Sequence, residues 1–309
     1  MQTLPKEVEQ LFHYLQNGTS AFHVIAHTKQ VLTEAGFTEL HIKDNWTLTK
    51  GSRYFCSPFD TTLYAFTIGE SCDLSNGIHI AGAHTDFPAI KIKPNPEFFS
   101  HGYMQLNTEV YGGPILNTFF DRPLSLAGKV VTKGDRYDRP VSHLVDLKRP
   151  AVYLPNLAIH MNRAINENGA PIDNQKHLLP ILGTLNEYLN KDTTFMDLLA
   201  KEIGVDAKDI LDYDLCMYNL DQPELVGFTE EFISAPRLDD ITSVCALIHG
   251  LVESKNADRV NLVCLFDNEE IGSLSKQGAD SHCLLLSSVR SGRLSAKIRL
   301  TVCPISQTA

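Results

Sequence analysis

Residues 260–266 read Val-Asn-Leu-Val-Cys-Leu-Phe, an apolar run broken by one asparagine, and the run stops abruptly on Asp267, Asn268, Glu269 and Glu270. A stretch of that length without strict alternation suits a strand buried on both faces, as in the parallel sheets of α/β proteins. The rest of the chain must then supply helices to cover such a sheet. The four polar residues fall just past the strand's C-terminal end, the edge at which open α/β sheets place their sites.

Helices of the required kind are written on both sides of this strand. Val8, Leu11, Phe12 and Leu15 recur at i, i+3, i+4 and i+7, which predicts a helix with one buried face, ended by Asn17-Gly18. Val24, Ile25, Val31 and Leu32 repeat the pattern up to Gly36, and residues 241–251 do so again after Ala235-Pro236-Arg237-Leu238-Asp239-Asp240. Short β-type runs follow the first two helices at residues 53–56, 63–68 and 78–83. The middle differs. It opens on Lys93-Pro94-Asn95-Pro96 and carries β-like pieces at 105–111, 126–131 and 141–147 between Gly and Pro punctuation. The expected organisation is one α/β domain split by a β-rich insertion: residues 1–91 form its first half, 92–232 the insertion and 233–281 the second half.

At 309 residues the chain is long enough for two such units. Its 27 basic residues against 37 acidic ones, a formal net charge of −10, argue against nucleic-acid binding, which requires basic patches. No apolar run approaches the roughly 20 residues that span a bilayer, so no membrane partner is expected. The N-terminus lacks a signal-peptide pattern, and the seven cysteines are scattered without a CxxC pair, so a cytoplasmic protein with reduced thiols is expected. Residues 282–309 stand apart, with four basic residues (Arg290, Arg293, Lys297, Arg299) and no acidic one. That abrupt change marks the tail as foreign to the body, the expected product of a reading frame disrupted near Ser281.

Three places put metal-ligand residue types at a strand end or a helix start. His84 closes the strand 78–83 with Asp86 two residues on, and a carboxylate beside an imidazole fixes its tautomer and raises its basicity. Asp239-Asp240 precedes a helix, where helix capping is the better explanation of the pair taken alone. Glu269-Glu270 follows the buried strand; one carboxylate can bind a metal while the other accepts a proton from water, or both can simply serve a helix dipole. A histidine with several carboxylates suits Zn²⁺, Mn²⁺ or Co²⁺, and bridging carboxylates suit two ions about 3.5–4 Å apart. GxGxxG, P-loop, GxSxG and HExxH motifs are absent.

The segments Ala83-His84-Thr85-Asp86, Ser234-Ala235-Pro236-Arg237-Leu238-Asp239 and Asp267-Asn268-Glu269-Glu270-Ile271-Gly272-Ser273 resemble the aspartyl aminopeptidase family of dinuclear zinc metallopeptidases. Phe22-His23-Val24, Tyr111-Gly112-Gly113, Phe120-Asp121-Arg122, Leu124-Ser125-Leu126-Ala127-Gly128, Leu157-Ala158-Ile159-His160 and Asn166-Glu167-Asn168 extend the likeness in order from about residue 20 to Ser281. The resemblance implies a zinc-aminopeptidase-like sheet with helices on both faces, interrupted by a β-rich dimerisation domain. It implies His84 as a ligand of one zinc, Glu270 of the other and Asp239 as the bridge. Asp86 would support His84, Glu269 would be the general base, and His160 would reach a neighbouring subunit's site to hold substrate. The implied activity is hydrolytic removal of N-terminal residues, acidic or neutral, from peptides, in a homo-oligomer ranging from dimer to dodecamer.

Two further ligands of the family pattern are missing from this sequence: an Asp some forty residues past Glu269-Glu270, and a His near the C-terminus. The C-terminal part of the peptidase domain is therefore expected to be lacking, with three of five ligands left. A working aminopeptidase, an inactive fragment and a non-enzymatic subunit of such an oligomer are the three readings this leaves open.

Overall fold

The helix anticipated from Val8, Leu11, Phe12 and Leu15 spans Lys6–Asn17 in a computed structural model that describes residues 4–169 and 171–281. It buries Leu11, Tyr14 and Leu15 and stops at Gly18, whose N–H donates to the Tyr14 carbonyl at 2.7 Å. A Cβ at residue 18 would stand 2.8 Å from that same carbonyl oxygen, so only glycine fits there. The second helix runs Ala21–Glu34, and the third, Leu238–Glu253, buries Ile241, Val244, Cys245, Ile248 and Leu251. The tail read as foreign, residues 282–309, lies outside the described residues.

These helices cover a five-stranded sheet in the order Thr38–Glu39, Arg53–Phe59, Thr62–Ile68, Val260–Phe266, Ile78–His84. The side chains of Phe55, Leu63, Ala65, Val263 and Leu265 point into one core with all three helices. Their alternates Tyr64 and Cys264 point to the opposite face, into a small cluster with Phe59, Leu262 and Phe266. That is the period of two expected of a strand. Among the described residues the three long helices thus lie on one face of this sheet, where helices on both faces were anticipated. Each fully buried Leu or Ile in that core contributes roughly 1.5–3 kcal/mol.

The strand Val260–Phe266 is parallel to Ile78–His84 but antiparallel to Thr62–Ile68, so the sheet is mixed and not purely parallel. The reason is local: Arg53–Phe59 and Thr62–Ile68 form a hairpin, so Thr62–Ile68 runs against both of its neighbours and puts two antiparallel pairs in the sheet.

A second, wholly antiparallel sheet holds seven strands in the order Ile210–Asn219, Ala89–Ser100, Tyr103–Tyr111, Ile181–Thr184, Val152–Tyr153, Pro123–Thr132, Val141–Asp146. Ile210–Asn219 also pairs with Pro123–Thr132 along nearly its whole length, so six strands close into a ring and leave Val141–Asp146 on its edge. Closure removes unpaired strand edges. The ring's core takes Phe195, Leu199 and Ala200 from the helix Phe195–Ile203, which starts on a capping box between Thr194 and Asp197. The first strand of this sheet begins at Ala89, and a two-stranded ribbon of Glu224–Val226 and Phe232–Ser234 leads back to the third helix. Among the described residues no helix is long and apolar enough to cross a membrane.

Candidate metal centre

Register brings the three groups together. Val260–Phe266 and Ile78–His84 run parallel with Phe266 opposite His84, so both strands end at one level and Thr85 N–H donates to the Phe266 carbonyl at 2.8 Å. His84 and the polar quartet Asp267–Glu270 therefore leave the sheet side by side. The helix Leu238–Glu253 starts at the same edge. Arg237 precedes it in the left-handed region (φ 64°), the Asp239–Asp240 peptide is cis, and no side chain caps the helix start. Asp239 and Asp240 themselves have non-helical φ/ψ, and Asp240 Oδ2 accepts the backbone N–H of His84 at 3.1 Å, across the sheet edge and away from the helix.

His84 Nε2 lies 3.2 Å from Asp239 Oδ1, 3.8 Å from Glu269 Oε2 and 3.9 Å from Asp240 Oδ2. One ligand atom each from His84, Glu269 and Glu270 fall within 4.8 Å of one another. The imidazole's other nitrogen, Nδ1, is 2.9 Å from the Asp86 carbonyl and 3.5 Å from its Oδ1. This fixes the ring with Nε2 turned toward the carboxylates. Asp86, only 4% exposed, is itself held on all sides. Its carboxylate accepts from Tyr111 Oη at 2.7 Å and from the N–H groups of Glu269 and Glu270 at 3.2 Å each. Asn268 Nδ2 donates to Tyr111 Oη at 2.9 Å, and Ser275 Oγ donates to Asn268 Oδ1 at 2.6 Å.

The electrostatics follow from this crowding. Burial pulls the His84 pKa down, but its hydrogen bond to Asp86 and the charges of Asp240 and Asp86 outweigh that and raise it to about 9. Burial pushes Asp86 up, and hydrogen bonds from His84, Tyr111 and the Glu270 N–H prevail, holding it below the usual carboxylate range. Glu270 moves the other way: burial raises it, the His84 charge opposes, and the carboxylates of Asp86, Glu269 and Asp239 add to the rise. Carboxylates that repel one another around a neutral-capable imidazole make a hard N/O donor set, which a divalent cation relieves. Zn²⁺ suits such donors; the residues whose ligand atoms come together are His84, Glu269 and Glu270, with Asp239 Oδ1 3.2 Å from His84 Nε2 and Glu269 55% exposed.

The second sheet completes the centre. Tyr111-Gly112-Gly113 ends one of its strands against Glu270; a Cβ on Gly112 would stand 3.0 Å from both Cβ and Oε2 of Glu270, and Gly112 has φ 69°. Tyr111, Asp240 and Asn268 carry functional contacts that sequence reasoning did not assign. The signals available were that each lay in a quoted segment without a role of its own: Tyr111-Gly112-Gly113, Asp239-Asp240 and Asp267–Ser273. His160, in contrast, sits on the short exposed turn Ile159–Met161 and takes no part in the cluster.

A sequence profile of the aminopeptidase I zinc metalloproteases (M18) matches residues 14–301. The chain is 43% identical over 285 residues to a probable M18 family aminopeptidase 2 of Clostridium novyi, covering 92% of this chain and 66% of that one. It superposes on a chain of the Ape4 and Nbr1 complex, solved by cryo-EM, with a TM-score of 0.89 at 29% identity, covering 96% of this chain and 62% of that one. A dodecameric mApe1 of S. cerevisiae shares the fold with a TM-score of 0.75 at 23% identity, over 96% of this chain and 68% of its own. The chain thus spans just under two thirds of the curated relative's length. With the profile running over most of its residues, this chain belongs to the M18 family of zinc metallopeptidases.

Proposed function

We propose that this chain carries the metal-binding and proton-transfer side of an aminopeptidase that hydrolyses the N-terminal residue, acidic or neutral, from peptides. The observation that carries the reading is the convergence of Asp239, Glu269 and Asp240 on His84 Nε2, with Glu270 in the same cluster. His84 and Glu270 would each hold one zinc and Asp239 would bridge them. When bound, zinc polarises a scissile carbonyl and lowers the pKa of water. Asp86 keeps the His84 imidazole turned so that Nε2 is the nitrogen offered. Glu269, exposed and held by its own N–H to Asp86, takes the proton of the attacking water on its carboxylate and returns it to the leaving amine.

Zinc analysis together with turnover of Asp- and Leu-aminoacyl substrates tests this, comparing Glu269→Gln with the unaltered chain. Loss of a general base lowers turnover by about 10²–10⁴-fold. Turnover that Glu269→Gln leaves unchanged refutes the assignment. A second reading, a non-catalytic fragment or subunit, is favoured by the donor count among the described residues: His84, Glu269 and Glu270 form a group of three, and zinc usually takes about four ligands. Metal-free protein that still self-associates, or that co-purifies with an intact relative, would decide for it.

Residues 92–232 serve in this proposal as the dimerisation module, placing His160 in a neighbouring subunit's site. The exposed Leu157, Ile159 and Met161 around His160 support such a contact, as does the dodecameric relative. A cytoplasmic location is proposed with it, supported by Cys72, Cys216, Cys245 and Cys264, which are buried and outside any disulfide among the described residues.

A further inference from the structure

The loop that delivers Asp239 is held by a cation that the metal chemistry does not use. Arg237 stands two residues before Asp239 with φ 64°, a conformation a side-chain-bearing residue adopts only under constraint from its surroundings. Its side chain turns back into the fold. Nη2 donates to the Leu15 carbonyl at 2.9 Å, near the end of the first helix. The guanidinium carbon lies 5.7 Å from the Phe87 ring centre and 5.5 Å from that of Tyr218. Its Nε is shielded from solvent without a hydrogen-bond partner. Tyr218 is fixed in turn, because its hydroxyl donates to Asp146 at 2.6 Å, and Asp146 also accepts from Thr19 Oγ1 at 2.9 Å.

Shielding part of a guanidinium from water is costly, and an apolar residue of similar volume would pack there at less expense. What the guanidinium supplies is geometry: two flat faces for two rings, and a donor for a helix-end carbonyl. The elements it touches are informative. Phe87 directly follows Asp86, which orients His84; Tyr218 belongs to the second sheet; Leu15 belongs to the first helix.

We propose that Arg237 is a positioning residue, whose guanidinium between Phe87 and Tyr218 fixes residues 237–239 so that Asp239 faces His84 Nε2 while the segment bearing Asp86 is held behind the same imidazole. The consequence for the metal rests on the reading of Asp239 as a ligand; the fixing of the loop does not.

The test uses the full chain with Arg237→Met, Arg237→Lys and Phe87→Leu. Hydrogen exchange of the metal-free protein is measured at residues 234–241 and 84–88, with residues 124–132 of the second sheet as the internal reference, and zinc affinity is measured by chelator competition. Arg237→Met is expected to speed exchange at least tenfold in the first two segments and to leave the reference within twofold. Zinc affinity should fall about 10–100-fold, the usual loss when a residue that orients a ligand is removed. Phe87→Leu should act in the same direction but less, and Arg237→Lys should not restore protection, because an ammonium lacks the planar faces.

Exchange at 234–241 within twofold of the unaltered chain overturns the proposal. So does a uniform rise across all three segments, which is what a merely structural arginine would give. If Arg237→Met does not fold, unaltered local exchange in both Phe87→Leu and Arg237→Lys overturns it equally. Zinc binding that survives Asp239→Asn undiminished refutes the metal reading instead, and the exchange result stands on its own.

Discussion

Replacing Asp86 by Asn removes a charge and turns one acceptor oxygen into a donor at a point where donors already converge. Oδ2 accepts from Tyr111 Oη and the Glu270 N–H; Oδ1 accepts from the Glu269 N–H and lies 3.5 Å from His84 Nδ1. Whichever way the new amide turns, its NH₂ meets a backbone N–H. One charge-assisted bond, worth roughly 1.5–3 kcal/mol, is lost, and a buried donor is left unpaired at a cost of about 1–3 kcal/mol. These terms are not additive, so the expected destabilisation of the metal-free chain is about 2–4 kcal/mol. Urea unfolding with linear extrapolation measures it.

The pH dependence gives the sharper check. Asp86 is held below its ordinary value of 3.8, so the stability it contributes is present above about pH 4 and lost as the pH falls through its folded value. His84, raised from 6.5 to about 9, contributes stability that is complete below pH 6.5 and lost as the pH rises through 9, and part of that rise is owed to Asp86. The gap between the two proteins should therefore be widest between about pH 4 and 6.5 and narrow on either side. A gap under about 0.5 kcal/mol at pH 6, or one that widens below pH 4, would refute the reasoning.

Other expectations follow from the same contacts. A proton and a metal compete for His84, so apparent zinc affinity should climb up to about tenfold per pH unit between 6.5 and 9 and then flatten; a titration series with no slope in that range contradicts it. Gly112→Ala forces a Cβ to 3.0 Å from Glu270 at φ 69°, costing about 1–3 kcal/mol and weakening zinc binding; a variant as stable and as zinc-avid as the original counts against Glu270 as a ligand. Cys216, Cys245 and Cys264, with pKa values that burial pushes up to about 12, should resist iodoacetamide at pH 8 until the chain is unfolded, as peptide mapping would show.

The strand 260–266 and the three long helices were legible because apolar periodicity is a local property, although Val8, Phe12 and Val31 of the pattern are only half-buried and Tyr14, outside it, is fully buried. Strand direction was not. An apolar run reads the same beside a parallel or an antiparallel neighbour, and only the hairpin of Arg53–Phe59 with Thr62–Ile68 decides that residues 260–266 have one of each. His84, Glu269 and Glu270 were legible because polar residues at the end of a buried strand have little packing to do. Asp240 was read only as the twin of Asp239, since two adjacent carboxylates before a helix look alike until one turns to the His84 amide. Tyr111 was hidden for another reason: a tyrosine at a strand end reads as packing, and its hydroxyl finds Asp86 only because two separate sheets meet there.

That meeting explains why the centre depends on both sheets. The chain leaves the first sheet at His84, passes Asp86 and enters the second at Ala89; it returns through Phe232–Ser234 and reaches Asp239 five residues later. Both crossings are short and run directly through candidate ligand segments. A displacement of the second sheet by an ångström would be carried into Asp86 by Tyr111 from one side and into the Asp239 loop by Tyr218 and Arg237 from the other. Because hydrogen bonds to a carboxylate weaken steeply with geometry, such a shift would alter the donor set around His84 before it disturbed either core. Contacts made to the second sheet are thus placed to alter the carboxylates around His84 without touching them.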